Sequence, residues 1–306
     1  CTEKFSLYKG TLFERTRVPL WKWFRAIYKS KNEGLTCRWI EENLAVSHET
    51  AWFMSHRIFG MSEFKLTDVK QFKNVVSESD ETAIGYNKTK QSGKRRRAAK
   101  NKDGGGFAHR WGVQGTYVRG HGVYCVFQPP YTTTAETKSI LTTILHSTCT
   151  VYSDSGKHYD WTKEYFDKAV QFNHNKGHYA NNDEEHSNGI EGYWEKLKSQ
   201  MRGYHRHLTV KHGIRYVHEH AWKYSINNFY KNRLGIDTKP KPWIRFAASF
   251  DTMYCPLSLS ELKEKGQRNR ELIDKWHAEL KAAKLAKKNK VPGKRGRPRR
   301  NSQEQL

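Results

Sequence analysis

The chain has 306 residues, with 55 Lys and Arg against 31 Asp and Glu and a formal net charge of +24. That excess favours a polyanionic partner, nucleic acid first, while no apolar run approaches the roughly 20 residues that span a bilayer, which disfavours a membrane partner. Cys1, Cys37, Cys125, Cys149 and Cys255 are odd in number and form no Cys-x-x-Cys pair, so neither a disulfide framework nor a complete zinc site is visible and a reducing, intracellular home fits best.

No signal-peptide pattern opens the chain, but it starts on Cys1 rather than Met and reads as a fragment. Cys1 would be the last ligand if a Zn2+ ribbon preceded it. Residues 1–33 are rich in aromatics and basics, and Leu20 to Tyr28 repeats apolar residues at helical spacing. In residues 34–62, Thr36 reads as the N-cap of a helix through Trp39, Ile40 and Asn43. Ala45-Val46-Ser47 reads as a tight turn, with Ser47 capping a second helix through Ile58. Such a pair suggests a helix-turn-helix that would offer His48, Glu49 and Thr50 to a DNA groove. An ordinary helical hairpin is the plain alternative.

From residue 73 the period changes. FKNVVSES predicts a strand ending at Asp80, and residues 111–118 and 122–128 predict two more, joined at Arg119-Gly120-His121. A helix over 135–145, strands over 149–153 and 169–173, and helices over 188–201 and 210–230 complete an α/β domain spanning 73–230. Residues 88–106 form a basic, Gly-ended loop in which Arg95, Arg96 and Arg97 could follow a phosphate backbone. A charged helical extension covers 231–288. The tail 289–306 is disordered by composition, and its Gly296-Arg297-Pro298, flanked by Arg295 and Arg299, is similar to an AT-hook that lays arginines into a narrow minor groove, with a generic basic tail or nuclear-localisation signal as the plain alternative.

Three acids carry the chemistry. Asp80 and Asp154 are placed at strand ends, and Glu191 in the first turn of a helix. Strand-end carboxylates on neighbouring strands can converge, and concentrated negative charge is costly unless cations fill it. Hard carboxylate oxygens select Mg2+ or Mn2+, and two such ions about 4 Å apart suit in-line displacement at phosphorus. Each acid has a plain reading as well: Asp is common in turns, and Asn188-x-x-Glu191 fits a capping box. Ile190, Trp194, Leu197 and Met201 form a buried stripe on the same helix. Lys198 lies two turns after Glu191, where it could neutralise a phosphate or make an ordinary surface ion pair.

These blocks resemble the DDE transposases of the bacterial insertion-sequence group that includes the eukaryotic Merlin elements. KGTLFERTRVPLWKWFRAIY is similar to the segment after that family's zinc ribbon, and LTCRWIEENLAVSHETAWFMSHRI to its helix-turn-helix. SESDETAIG, YSDSGKHY and HSNGIEGYWEKLKSQMRGYH are similar to its three catalytic blocks. The resemblance runs from about residue 5 to 230. It implies an RNase H-like fold, cleavage at terminal inverted repeats and transfer of the freed 3′ end to target DNA. It puts Asp80, Asp154 and Glu191 on the acidic triad, and Lys198 on the trailing basic position. A homodimer on paired ends follows from the same resemblance, and the AT-hook-like tail leans towards a eukaryotic nucleus. Ala83 and Tyr86 depart from the family's first block, and Asn188 is the rival third catalytic residue, since some relatives carry Asn there. The competing functions are a domesticated DNA-binding protein that does not cut, and a general RNase H-like nuclease without strand transfer.

Overall fold

The computed structural model describes residues 8–68, 70–84, 111–129, 132–173, 185–205, 208–233, 240–252 and 259–289. Cys1, Cys255, the loop arginines Arg95, Arg96 and Arg97, and the tail arginines Arg295, Arg297 and Arg299 lie outside these residues.

The N-terminal helices follow their local signals. Helix α1 (Leu20–Asn32) buries Trp23, Ala26 and Ile27 at helical spacing. Helix α2 (Cys37–Leu44) is capped by Thr36, whose hydroxyl accepts the Trp39 N–H at 3.1 Å, and it ends at Ala45 in the left-handed region, φ 47°. Helix α3 (His48–Gly60) is capped by Ser47, which accepts the Thr50 N–H at 3.3 Å. Their shared core includes Leu12, Trp23, Ile40, Leu44, Met54 and Ile58.

The second layer is a five-stranded sheet of β1 (Val76–Ile84), β2 (Trp111–Val118), β3 (Gly122–Gln128), β4 (Thr150–Asp154) and β5 (Lys168–Phe172), in the order β3-β2-β1-β4-β5. β1, β2 and β3 pair antiparallel, and β4 joins β1 and β5 in parallel. Strands β2 and β3 occupy the residues that the sequence pattern predicts. Strand β1 does not stop at Asp80. Its parallel pairing to β4 ends at Ser79 opposite Ser153, but its antiparallel pairing to β2 continues to Ile84 opposite Trp111. The second partner holds β1 extended, so Asp80 lies within a strand at the point where one neighbour has left.

Helices cover both faces. Short helix α5 (Thr162–Tyr165) and helix α4 (Thr134–Ile144), capped by a Thr133–Glu136 box, lie with Val118, Val151 and Tyr159 around one core. On the other face, α6 (Asn188–Tyr204) and α7 (Gly213–Arg233) pack Ile190, Trp194, Leu197 and Val217 against Trp111, Val113 and Cys125. Met201, the last residue of the predicted stripe, is half-buried beside this core, and Tyr193 joins it unpredicted. Two further helices follow, α8 (Pro242–Ala248) and α9 (Leu259–Asn289), and α9 adds Ile273 to the same core. None of the described helices is long and apolar enough to cross a membrane.

A buried polar cluster joins the N-terminal helices to α7. Glu219 accepts from Lys31 at 2.6 Å, from Ser62 at 2.7 Å and from Ser30 at 2.7 Å. Burial alone would raise its pKa. The charges of Lys31 and Lys223 and the hydrogen bonds from Lys31 and Ser62 outweigh that and hold it at about 2. The cost of desolvating both charges offsets much of what such a buried pair adds to net stability.

Candidate active site

Side chains alternate along a strand, so Glu78 and Asp80 share the face of β1 that α6 covers. In the parallel register Glu78 lies opposite Tyr152, which puts Asp154 on the same face and level with Asp80. Helix α6 comes close because the residue paired with Asp80 is Gly115. A Cβ there would meet the Trp194 ring at 2.7 Å and Ile190 at 2.9 Å. The Trp194 indole consequently reaches Asp80 and donates to Oδ2 at 3.0 Å.

The electrostatics around Asp80 are those of a site short of positive charge. Burial, and then the charge of Glu81, push the Asp80 pKa up to about 7, and Asp154 adds to the rise. The Glu81 and Trp194 N–H groups only partly offset it. Asp154 lies at the open end of β4, its Oδ1 accepting the Ser155 N–H at 2.5 Å. A buried carboxylate that resists ionisation beside a second carboxylate suits a hard divalent cation, whose charge favours the ionised form.

The neighbouring acid Glu81 is occupied differently. It accepts from the Tyr159 hydroxyl at 2.9 Å and lies 2.9 Å from His158 Nε2. The hydrogen bond to Glu81, followed by the charges of Glu81, Asp154 and Asp80, raises the His158 pKa against its partial burial. Gly156 makes room for that ring, since a Cβ there would meet it at 2.4 Å. His158, Tyr159 and Glu81 therefore brace the loop after β4 against β1.

Glu191 is on the turn of α6 preceding Trp194, one helical step from the residue bonded to Asp80. Its Oε1 accepts from the Ser187 hydroxyl at 3.1 Å. The N-cap is Ser187, not Asn188, so the capping-box register read from Asn188-x-x-Glu191 is displaced by one residue. Asn188 is exposed in the first turn, and Lys198 is exposed further along the helix. Among the described residues no group of three or more His, Cys, Asp and Glu side chains is arranged to hold a metal ion. Asp80 and Asp154 are brought together, and Glu191 stands at the adjoining helix turn without closing a three-ligand cluster.

Sequence reasoning missed Glu78, Arg119 and His186. Glu78 is wholly buried. One of its oxygens accepts from Arg119 Nε at 2.8 Å, and the other accepts the Ile190 N–H at 2.9 Å. Arg119 Nη2 also contacts the His186 carbonyl at 3.0 Å and His186 Nδ1 at 3.1 Å. The period-2 rule could have flagged Glu78 as sharing the face of Asp80. Nothing local marks Arg119, which sits in a hairpin turn.

The other predicted contact residues sit on the N-terminal helices. His48 and Glu49 are exposed and Thr50 is half-buried, all in the first turn of α3. His48 Nδ1 is 2.6 Å from Glu41, and the hydroxyl groups of Thr50 and Ser47 are 3.0 Å apart. The second half of α3, from Met54 to Gly60, is buried. Lys22 and Arg25 of α1 donate to the Ala45 and Asn43 carbonyls at 3.2 and 3.5 Å, beside that first turn.

A mixed α/β sheet with paired aspartates at a strand-pair end, covered by a helix bearing a third acid, is compatible with an RNase H-like transposase domain. Residues 75–225 match the family model described as ISXO2-like transposase domain, which supports an insertion-sequence type of DDE transposase. No curated protein matches the chain.

Proposed function

We propose that the chain is a DNA transposase of the insertion-sequence and Merlin group, cutting DNA at terminal inverted repeats and joining the freed 3′ end to target DNA. The observation that carries this reading is the nearness of Asp80 and Asp154, one residue past the last β1–β4 pair, inside the matched domain. Mg2+ or Mn2+, as a pair of ions, would be held by Asp80 and Asp154 with Glu191 as the third donor. When bound, such cations activate an attacking oxygen and stabilise a leaving one. Trp194 orients the Asp80 carboxylate, Lys198 meets a neighbouring phosphate, and Asn188 is the alternative third residue. Recognition of the ends falls to the first turn of α3, flanked by Lys22 and Arg25, with the loop and tail arginines adding phosphate contacts. Dimerisation on paired ends and a nuclear location in a eukaryotic host belong to the same proposal.

A non-cutting DNA-binding protein is the second reading, favoured by the lack of a closed three-ligand cluster among the described residues. Mg2+-dependent nicking of duplexes carrying the DNA that flanks the coding sequence separates the two. Asp154→Ala is expected to reduce nicking at least about a thousandfold while leaving duplex binding intact. Nicking that persists in Asp154→Ala overturns the assignment of the site. A wild-type chain that binds and never nicks establishes the second reading.

A further inference from the structure

We infer that Glu78, Arg119 and His186 form a latch that positions the third metal ligand, and that Glu78 is not itself a ligand. The inference rests on the metal-dependent reading above and deepens it. Strand β1 carries three acids within four residues, Glu78, Asp80 and Glu81, and any of them could be read from sequence as a cation ligand. The structure divides them by what each oxygen touches. Glu81 braces His158 and Tyr159. Both oxygens of Glu78 have protein donors, Arg119 Nε at 2.8 Å and the Ile190 backbone N–H at 2.9 Å, and no part of the side chain is exposed.

The Ile190 N–H is one of the orphan donors of the first turn of α6. Ser187, the N-cap residue, makes no side-chain cap bond to it. Glu78 supplies that cap from 112 residues away in sequence. A carboxylate at this place also meets the positive end of the helix dipole. Gly189 makes the approach feasible, because a Cβ there would stand 2.4 Å from Tyr117 and 2.8 Å from Glu78 Oε2.

Arg119 extends the contact to the chain entering the helix. Its Nη2 reaches the carbonyl and Nδ1 of His186, and its guanidinium lies 5.2 Å from the centre of the Tyr152 ring on β4. His186 Nδ1 in turn accepts the Asn188 N–H at 3.3 Å. One buried carboxylate and one arginine thus tie β1, β4 and the first turn of α6 together. Asp80, Asp154 and Glu191 are carried by those same three elements. The axial height and rotation of α6 against β1, which set how far Glu191 stands from Asp80, are therefore under the control of the latch. Groups that orient metal ligands in this way typically change metal affinity or activity by about 10–100-fold when removed.

The test compares the wild-type chain with Glu78→Gln, Arg119→Lys and Asp154→Ala in three measurements: the concentration of Mn2+ that half-saturates its thermal stabilisation of the protein, the nicking rate, and the Kd for duplex DNA in EDTA. Glu78→Gln keeps an acceptor for Ile190 but loses the ion pair, and Arg119→Lys keeps the charge but loses the reach to His186. Both are expected to raise the half-saturating Mn2+ concentration about 10–100-fold and to slow nicking, which excess Mn2+ partly restores, with Kd within about twofold. An unchanged Mn2+ response in both variants overturns the latch. So does a loss in Glu78→Gln as complete as in Asp154→Ala and beyond rescue by Mn2+, which would make Glu78 a ligand. If Glu78→Gln fails to fold, the result for Arg119→Lys decides. A wild-type chain that neither responds to Mn2+ nor nicks removes the metal-dependent reading itself; a responsive wild type with unaltered variants removes only the latch.

Discussion

The first turns of α3 and α6 are prepared in opposite ways. Helix α3 is capped from within, by Ser47 one residue ahead of it. Its preceding turn is closed by Ala45 and by cations from α1. Helix α6 takes its cap from Glu78 on the middle strand of the sheet. A local cap contributes about 1 kcal/mol and works wherever the helix goes. A cap donated by a distant strand works in one position only, so it fixes the helix against the sheet. The turn proposed to meet variable DNA has the local cap, and the turn proposed to complete a catalytic site has the distant one.

The contrast breaks most visibly at two glycines of α6. Gly189 faces Tyr117 and Glu78, whereas nothing lies within 4 Å of a Cβ built at Gly192. Gly189→Ala is expected to cost about 1–3 kcal/mol through forced repacking and to slow nicking with it. Gly192→Ala, one turn on, should be neutral or stabilising by up to about 1 kcal/mol, since alanine is the better helix former. Urea denaturation of both variants measures the pair. Equal effects at the two positions would show that α6 does not need its close seat on β1.

The same contrast explains what was legible in the sequence. Thr36 and Ser47 announce helix starts within three residues of themselves, and both helices begin where those signals put them. Strands β2 and β3 alternate around a short turn and were equally plain. The end of β1 was not, because its continuation depends on β2 rather than on its own residues. Of the site, Asp80, Asp154 and Glu191 stood out through their blocks. Trp194 read only as core, though its N–H reaches Asp80. Arg119 read only as turn. Both act through contacts that span 41 to 114 residues, and no window of sequence shows these.

A second difference lies where the N-terminal helices dock on α7. His56 of α3 packs against His212 at 4.8 Å and Tyr216 at 5.6 Å between ring centres, and His205 lies 4.4 Å from Tyr216. Burial, reinforced by His212, Arg215 and His205, pushes the His56 pKa down to about 2. Burial likewise takes His205 and His212 to about 4, with help from Lys223 and from Arg215 and Lys211 respectively. These rings are neutral in the folded protein, and an unfolded chain binds protons on them below about pH 6.5. Their contribution is therefore full above that pH and is lost as the pH falls from 6.5, through about 4 for His205 and His212 and on to about 2 for His56. Glu219, held at about 2, loses its contribution only in the lower window beneath the ordinary glutamate value of 4.5. Thermal unfolding should show Tm falling by several degrees between pH 7 and pH 5. Trp52, whose ring lies 4.3 Å from that of His56, should report it by fluorescence. A flat Tm over that range would mean that the histidine seam opens without cost.

The smallest expected effect concerns the open side of the first turn of α3. With the half of α3 beyond Met54 buried, a groove-reading role is left to His48, Glu49 and Thr50, and these offer DNA little charge. Phosphate contact must then come from beside them. Helix α1 has no acidic residue between Leu20 and Asn32, exposes Trp21 at 57 %, and holds Lys22 and Arg25 against the end of α2. If both cations meet phosphates, Lys22→Ala with Arg25→Ala should lower the slope of log K against log salt by about 1.8, at about 0.9 per contact, uniformly across DNA sequences. His48→Ala should instead leave the slope near its wild-type value and change the preference among sequences. A double variant with an unchanged slope would take α1 off the DNA. The burden would then fall on other basic segments, among them Arg95, Arg96 and Arg97 and the tail arginines outside the described residues.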